Sequence, residues 1–218
     1  MRTRNRAEIL YRTLLSSYGP QGWWPLSGKY HRGLPKTRSQ RYEICLGAIL
    51  TQNTAWRNVD TVLASLRQQK LLSPKAISTL SEKKLAALIR SSGYHNQKAR
   101  KVKLFTEFFL SLRGTPSRAD LLSLWGVGEE TADSILLYAY GEHVFVVDAY
   151  TRRVASRMGL LGPDPSYSET QELFSQALPA SAYNEAHALL VEHCKRSCRV
   201  RPVCEGCVVG GDCGFAGI

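Results

Sequence analysis

Cys198, Cys204, Cys207 and Cys213 crowd the end of the chain in the pattern Cys-x5-Cys-x2-Cys-x5-Cys. Thiolates at this density can close around one metal centre. The segments between them, Arg199-Val200-Arg201-Pro202 and Val208-Val209-Gly210-Gly211-Asp212, turn easily and bury little apolar surface of their own. Something else must hold the loop together. Three chemistries compete: an iron–sulfur cluster, a structural zinc held by four cysteines, and disulfides. Zinc sites usually carry two Cys-x-x-Cys pairs. Here one pair, Cys204 with Cys207, has a single cysteine on either side, which favours the cluster. Cys194 lies one helical turn before Cys198 and is a substitute for the first ligand. Cys45, alone in an apolar run, reads as a small core residue.

A second candidate site is made of backbone. Leu124-Trp125-Gly126-Val127-Gly128 sits between two helical segments and opens the second, Glu129-Glu130-Thr131-Ala132-Asp133. Gly126 and Gly128 let the chain turn tightly and expose N–H groups at a helix N-terminus, where a phosphate can sit without side-chain charge. A plain helix–helix turn is the competing reading. Charge supplies a reason to expect phosphates. Lys plus Arg outnumber Asp plus Glu by 29 to 18, a net charge of +11. The excess is spread over Arg2–Arg6, Arg32–Arg41, Lys98–Lys103, Arg152–Arg157 and Lys195–Arg201. A polyanion is the natural partner and nucleic acid the first choice, with solubility alone as the alternative. No single helix carries a clear basic amphipathic face, which argues against a membrane surface.

The elements that must position these groups read almost wholly as helices. A hydrophobic fraction of 44% supports a packed core. Residues 7–17 place Ile9, Leu10, Leu14 and Leu15 on one side. Residues 40–52 enclose the nearly all-apolar run Tyr42-Glu43-Ile44-Cys45-Leu46-Gly47-Ala48-Ile49-Leu50, which must be central. Further helices are expected over 55–68, 81–90, 96–112, 118–123, 130–140, 149–158, 168–177 and 181–197. Val144-Phe145-Val146-Val147 reads as a buried connector rather than a strand. Residues 18–38 lack periodicity but hold Trp23 and Trp24, so they read as an ordered loop. No run of about 18 apolar residues exists, so no transmembrane helix is expected. The start lacks the apolar segment of a secretory signal. Clustered cysteines in an unexported chain suggest a reducing cytosol.

The hairpin, then Val146-Val147-Asp148-Ala149-Tyr150-Thr151-Arg152-Arg153-Val154, then the four-cysteine loop follow in an order that resembles the helix-hairpin-helix (HhH-GPD) DNA glycosylase superfamily of endonuclease III. The resemblance spans residues 40–213. It implies an all-α fold of two helical domains with the DNA and lesion cleft between them. Residues 33–142 would form a six-helix domain holding the hairpin. Residues 1–32 and 143–218 would form a discontinuous domain ending in a 4Fe–4S loop at 198–213. Cys198, Cys204, Cys207 and Cys213 match the cluster ligands. Endonuclease III has six residues between its first two ligands, where this chain has five, and that leaves Cys194 in play.

Carried over residue by residue, Asp148 matches the superfamily's catalytic aspartate. It also directly precedes a helix and reads as its N-cap. Bifunctional members carry a lysine in the hairpin that attacks the sugar; the matching residue here is Glu130, so the resemblance implies base removal without strand cleavage. Tyr18-Gly19-Pro20-Gln21-Gly22-Trp23-Trp24-Pro25, Gly47 to Trp56, and Gly93-Tyr94-His95-Asn96-Gln97-Lys98-Ala99 are similar to the narrower endonuclease III-like 3-methyladenine DNA glycosylases. By that similarity Trp23, Pro25, Trp56 and Glu130 line the lesion pocket, with Trp24 as a neighbour. The competing reading makes the tryptophans core residues. Gln52 matches the residue that fills the gap left by a flipped base, with Asn53 as the alternative plug; both could instead cap the 40–52 helix. Gly126, Val127 and Gly128 would grip the backbone. The expected protein is a monomeric, cytoplasmic (in a prokaryote, nucleoid-associated) DNA glycosylase for alkylated purines, acting on double-stranded DNA with a damaged base and binding no membrane. Alternatives are a glycosylase for an oxidised pyrimidine or mismatched base, and a non-catalytic or redox-sensing iron–sulfur DNA-binding protein.

Overall fold

The computed structural model of the chain describes residues 3–30 and 33–215. Arg2 and Arg32, each the first residue of an expected basic cluster, lie outside the described residues. The helices are α1 (Thr3–Tyr18), α2 (Arg38–Leu50), α3 (Trp56–Gln68), α4 (Pro74–Thr79), α5 (Glu82–Leu88), α6 (His95–Ser111), α7 (Arg118–Leu122), α8 (Glu129–Ser134), α9 (Ala149–Arg157), α10 (Tyr167–Ala177) and α11 (Tyr183–Arg196). α8 widens directly into a π-helical segment, Ile135–Tyr140. Among the described residues there is no strand, so the all-α expectation holds. None of the helices described is long and apolar enough to cross a membrane.

The chain divides into two compact units, Met1–Trp23 with His143–Ile218, and Trp24–Glu142. The front boundary therefore falls at Trp24, ahead of the expected residue 33. The cause is a buried acid on α2. Glu43 accepts the Ser27 N–H at 2.7 Å and pairs with Arg67 at 2.8 Å, which draws the loop after Trp24 onto the second unit. The Leu26–Lys29 bridge tightens that loop.

In the second unit every residue from Tyr42 to Leu50 on α2 is buried. Thr37 and Gln40 start the helix as a capping box. Its other end is closed by Thr51, whose N–H and hydroxyl both donate to Gly47 O, and by Lys98 Nζ, which donates to Leu50 O at 2.8 Å. Gln52 and Asn53 make no cap there. α4 was absent from the expected elements. It has six residues and one buried side chain, Ile77, which is too little for a periodic signal. Ser73 at the N-cap and Pro74 behind it were the available cues.

In the first unit α1 packs on α10 and α11, and α11 packs on α9. Phe145, Val146 and Val147 are buried in the connector. With no neighbouring strand among the described residues, two of their backbone groups are taken by α10: Gln171 donates to Phe145 O at 2.7 Å, and the Val147 N–H reaches the Tyr167 hydroxyl at 3.4 Å.

Lys98 is 1% exposed and donates to Leu50 O and Ser92 O. Desolvation, helped by the charge of Lys101, lowers its pKa from 10.5 to about 8. Between those values the unfolded chain holds the proton that the folded chain has released, so this residue makes stability rise with pH across that window. Urea denaturation of wild type and Lys98→Met through the window should show the difference moving in favour of wild type as pH rises. A constant difference would mean that the ammonium is not desolvated.

Candidate functional site

Asp148 is the N-cap of α9. Its Oδ1 accepts the Thr151 N–H at 2.7 Å and the Thr151 hydroxyl at 2.9 Å. Its Oδ2 faces His187 Nε2 on α11 at 3.5 Å, an electrostatic contact slightly too long for a good hydrogen bond. Burial pushes the carboxyl pKa up. His187 and the two Thr151 donors outweigh it, so the group stays below its ordinary value and ionised at neutral pH. The capping role read from the sequence is present. It uses one oxygen and leaves the other facing the imidazole.

The same face of α11 holds Trp23. Asn184 donates to Trp23 O at 3.0 Å. His187 meets the indole edge-on, with centroids 5.7 Å apart and planes at 81°. Lys195 Nζ stands 5.6 Å from the ring centre. Trp23 is half-buried, so it is held without being a core residue. His187 and Thr151 were missed in the sequence. Thr151 had a readable signal, three residues after a capping aspartate. His187 had none, being one histidine on a buried helix face.

Cys198, Cys204, Cys207 and Cys213 line one small apolar cavity. None forms a disulfide. Burial pushes the Cys207 thiol pKa up, and the charges of Cys213, Cys198 and Cys204 push the same way, so all four are electrostatic neighbours. Among the described residues no group of three or more His, Cys, Asp or Glu side chains is placed to hold a single metal ion. The four thiols around a common cavity are the donor type that either a cluster or a zinc would use. Cys194 is 2% exposed and does not line the cavity. Its hydrogen bond to Cys198 raises its own pKa and lowers that of Cys198. α9 clamps the loop. Arg157 donates to Arg199 O at 2.6 Å, Val200 O at 3.0 Å and Cys198 Sγ at 3.4 Å, while Arg153 reaches Cys198 O at 3.3 Å. Arg6 adds Met158 O and Asp212 O at 2.6 and 3.1 Å.

In the second unit the hairpin joins α7 to α8. Arg118 bridges the two helices, with Nε 2.7 Å from the fully buried Asp133 and a second nitrogen 3.1 Å from Glu129. Gly126 has φ +80° and lies under the Lys101 side chain, so any larger residue there meets both strain and overlap. Gly128 caps α8 without a side-chain acceptor. Val127 is buried beneath the turn. Gln52 Nε2 donates to Gly126 O at 3.0 Å and Thr131 Oγ1 at 2.9 Å, while Lys101 Nζ donates to Gln52 Oε1 at 2.5 Å. Asn53 is exposed with φ +52°, a conformation that asparagine tolerates. Glu130 is exposed in the first turn of α8.

Trp24 is buried, edge-on to Trp56 at 5.2 Å and tilted against Tyr138 at 5.0 Å. A side chain at Gly47 would stand 3.1 Å from Trp24 Nε1 and 3.4 Å from Trp56 Cη2, so the glycine admits both indoles. The core reading suits Trp24, while Trp56 is half-buried; Pro25 is buried beside Trp24 in sequence.

The model of the HhH-GPD superfamily, base excision DNA repair proteins, matches residues 46–180. A protein of Methanocaldococcus jannaschii, provisionally named a DNA repair glycosylase, is 42% identical over 218 residues, covering 94% of each chain. Endonuclease III of Sulfolobus acidocaldarius is 29% identical, covering 83% of this chain and 84% of its own. The crystal structure of H. pylori 3-methyladenine DNA glycosylase bound to 1,N6-ethenoadenine is similar with a TM-score of 0.74 at 27% identity, covering 89% of this chain and 98% of that one.

The α9 clamp on the cysteine loop can be tested directly. Arg157→Ala removes three contacts to residues 198–200. Charged hydrogen bonds contribute about 1.5–3 kcal/mol each before solvent screening. Trypsin should then cut after Arg199 about tenfold faster or more, while Lys103 and other sites in the second unit stay protected. Equal cleavage of the two proteins would mean that the guanidinium holds nothing.

Proposed function

The chain belongs to the HhH-GPD superfamily of base excision DNA repair proteins, and from that premise we propose a monofunctional DNA glycosylase. In this reading it acts as a monomer on double-stranded DNA, flips out an alkylated purine, 3-methyladenine above all, and hydrolyses its N-glycosidic bond. The Asp148 carboxylate carries the reading. It is nearly enclosed, held ionised, and bound at one oxygen by Thr151. Breaking the glycosidic bond builds positive charge on the sugar ring. A fixed carboxylate beside C1′ stabilises that charge and orients or deprotonates the attacking water. Glu130 stands where bifunctional members have lysine, and a carboxylate cannot form a Schiff base.

Trp23, Pro25 and Trp56 are the assigned pocket residues. An adenine alkylated at N3 is cationic as a nucleoside, so its bond is already weakened. Stacking it on indoles adds about 0.5–2 kcal/mol of cation–π attraction. Glu130 in place of lysine removes one repulsive charge. The H. pylori relative named a 3-methyladenine DNA glycosylase supports the same lesion class. A neutral lesion such as an oxidised pyrimidine is the second reading. Lys195 over the Trp23 ring favours it, because an ammonium there repels a cationic base.

Gln52, on giving up its bonds to Gly126 O and Thr131, or the exposed Asn53 would fill the vacated stack, and Gly126, Val127 and Gly128 would hold a phosphate at the start of α8. A 4Fe–4S cluster would be held by Cys198, Cys204, Cys207 and Cys213. Hydrolysis moves no electron, so the cluster would supply a cross-link that folds the loop and presents Lys195, Arg196, Arg199 and Arg201 to DNA phosphates.

Chromatography of bases released from methylated and from oxidised DNA separates the two lesion readings. On its substrate, Asp148→Asn should abolish release while lesion DNA still binds. Near-normal turnover would leave the carboxylate as a helix cap and nothing more. Borohydride should trap no protein–DNA adduct, and a trapped adduct would reveal lyase chemistry. Purified protein should carry about four irons. Cys204→Ser should lose them and Cys45→Ser should keep them; one stoichiometric zinc would overturn the cluster.

A further inference from the structure

His187 stands between the carboxylate and the indole of the first unit. It is 5% exposed on α11 and touches two groups with proposed chemical roles. Its Nε2 is 3.5 Å from Asp148 Oδ2, and its ring lies edge-on to Trp23. The other carboxylate oxygen is already committed, since Thr151 donates to Oδ1 twice. Because the two oxygens turn together, the Thr151 donors set the carboxylate plane, and the imidazole is the group that stands against its second oxygen. There the ring adds an electrostatic and steric stop on the side that Thr151 leaves open. Trp23 is fixed in the same way, its carbonyl by Asn184 and its ring by His187 and Lys195.

We propose that His187 is a positioning residue, one ring that sets both the direction of Asp148 Oδ2 and the plane of the Trp23 indole. The proposal rests on the roles given to Asp148 and Trp23 above. The Nε2–H tautomer directs a donor at Oδ2, so both oxygens of the carboxylate face fixed donors. His187 does not itself touch the sugar or the base. It links stacking to catalysis: a base seated on Trp23 is seated at a set distance from Oδ2. Misplacing a reacting group by about 1 Å can cost about 100-fold in rate, so a rotor at either position is expensive.

The test compares wild type, His187→Leu, His187→Gln and Asp148→Asn. Single-turnover release of the excised base gives the rate, lesion-DNA titration gives affinity, and carbon-13 NMR of the Asp148 carboxyl gives its titration without any substrate. Leu fills the space without a donor. Gln restores an N–H near the place of Nε2. His187→Leu should lower the single-turnover rate about 10- to 100-fold with affinity for lesion DNA changed less than about threefold, and His187→Gln should recover most of the rate. The Asp148 carboxyl should titrate higher in His187→Leu than in wild type. If His187→Leu fails to fold, a His187→Gln variant that folds but turns over like Asp148→Asn overturns the proposal. Wild-type rate and unmoved Asp148 titration in His187→Leu also overturn it. If wild type releases no base at all, the glycosylase reading has failed, and the carboxyl titration alone still decides whether His187 holds Asp148.

Discussion

Asp148 Oδ1 accepts both the backbone N–H and the hydroxyl of Thr151, so α9 has a defined first turn and the first unit is built outward from it. Once α9 starts at Ala149, Arg153 and Arg157 come one turn apart on the face toward the cysteine loop. They hold that loop by its carbonyls and by Cys198 Sγ. A slip of one residue would rotate both guanidiniums by about 100° and release the loop. The cap therefore organises the loop as well as the carboxylate.

The division of labour between the two oxygens makes this arrangement usable. A buried carboxylate with no donors would take up a proton, because desolvation disfavours its charge. Two donors on one oxygen and an imidazole by the other reverse that. The group is ionised without being fully consumed by its partners. In the second unit the corresponding device is an amide. Gln52 spends both ends on the hairpin and Lys101, and Arg118 locks α7 to α8 through Asp133. The hairpin carries no charged side chain of its own between Leu124 and Gly128; its shape is imposed by Gln52 just after α2 and by polar groups from α6 and α7.

Much of this was legible in the sequence. The helical period placed ten of the segments because each buries an apolar face, and α2 was recognisable as central because its apolar run leaves no polar face. Asp148 could be read as a cap from its place before a helix. α4 escaped because a six-residue helix with one buried side chain has no period to detect. The place of residues 24–32 was not legible, because Glu43 reaches out of α2 to a backbone N–H sixteen residues away in sequence, and no local pattern encodes such a contact. The same limit applies to Trp23 and Trp24. Adjacent and chemically identical, they end in different surroundings, one half-exposed beside α11 and one buried against Trp56 and Tyr138.

By itself the sequence determined the elements, the cysteine spacing, the glycine turn and the carboxylate at the head of α9, because each depends on neighbours within a few residues. Only the tertiary structure decided which side chains face one another. His187 came to Asp148 across a sequence gap, Arg157 to the cysteine loop, and Lys101 to Gln52. Those pairings follow from how packed helices turn their faces, and a helix face acquires a partner only when another helix covers it.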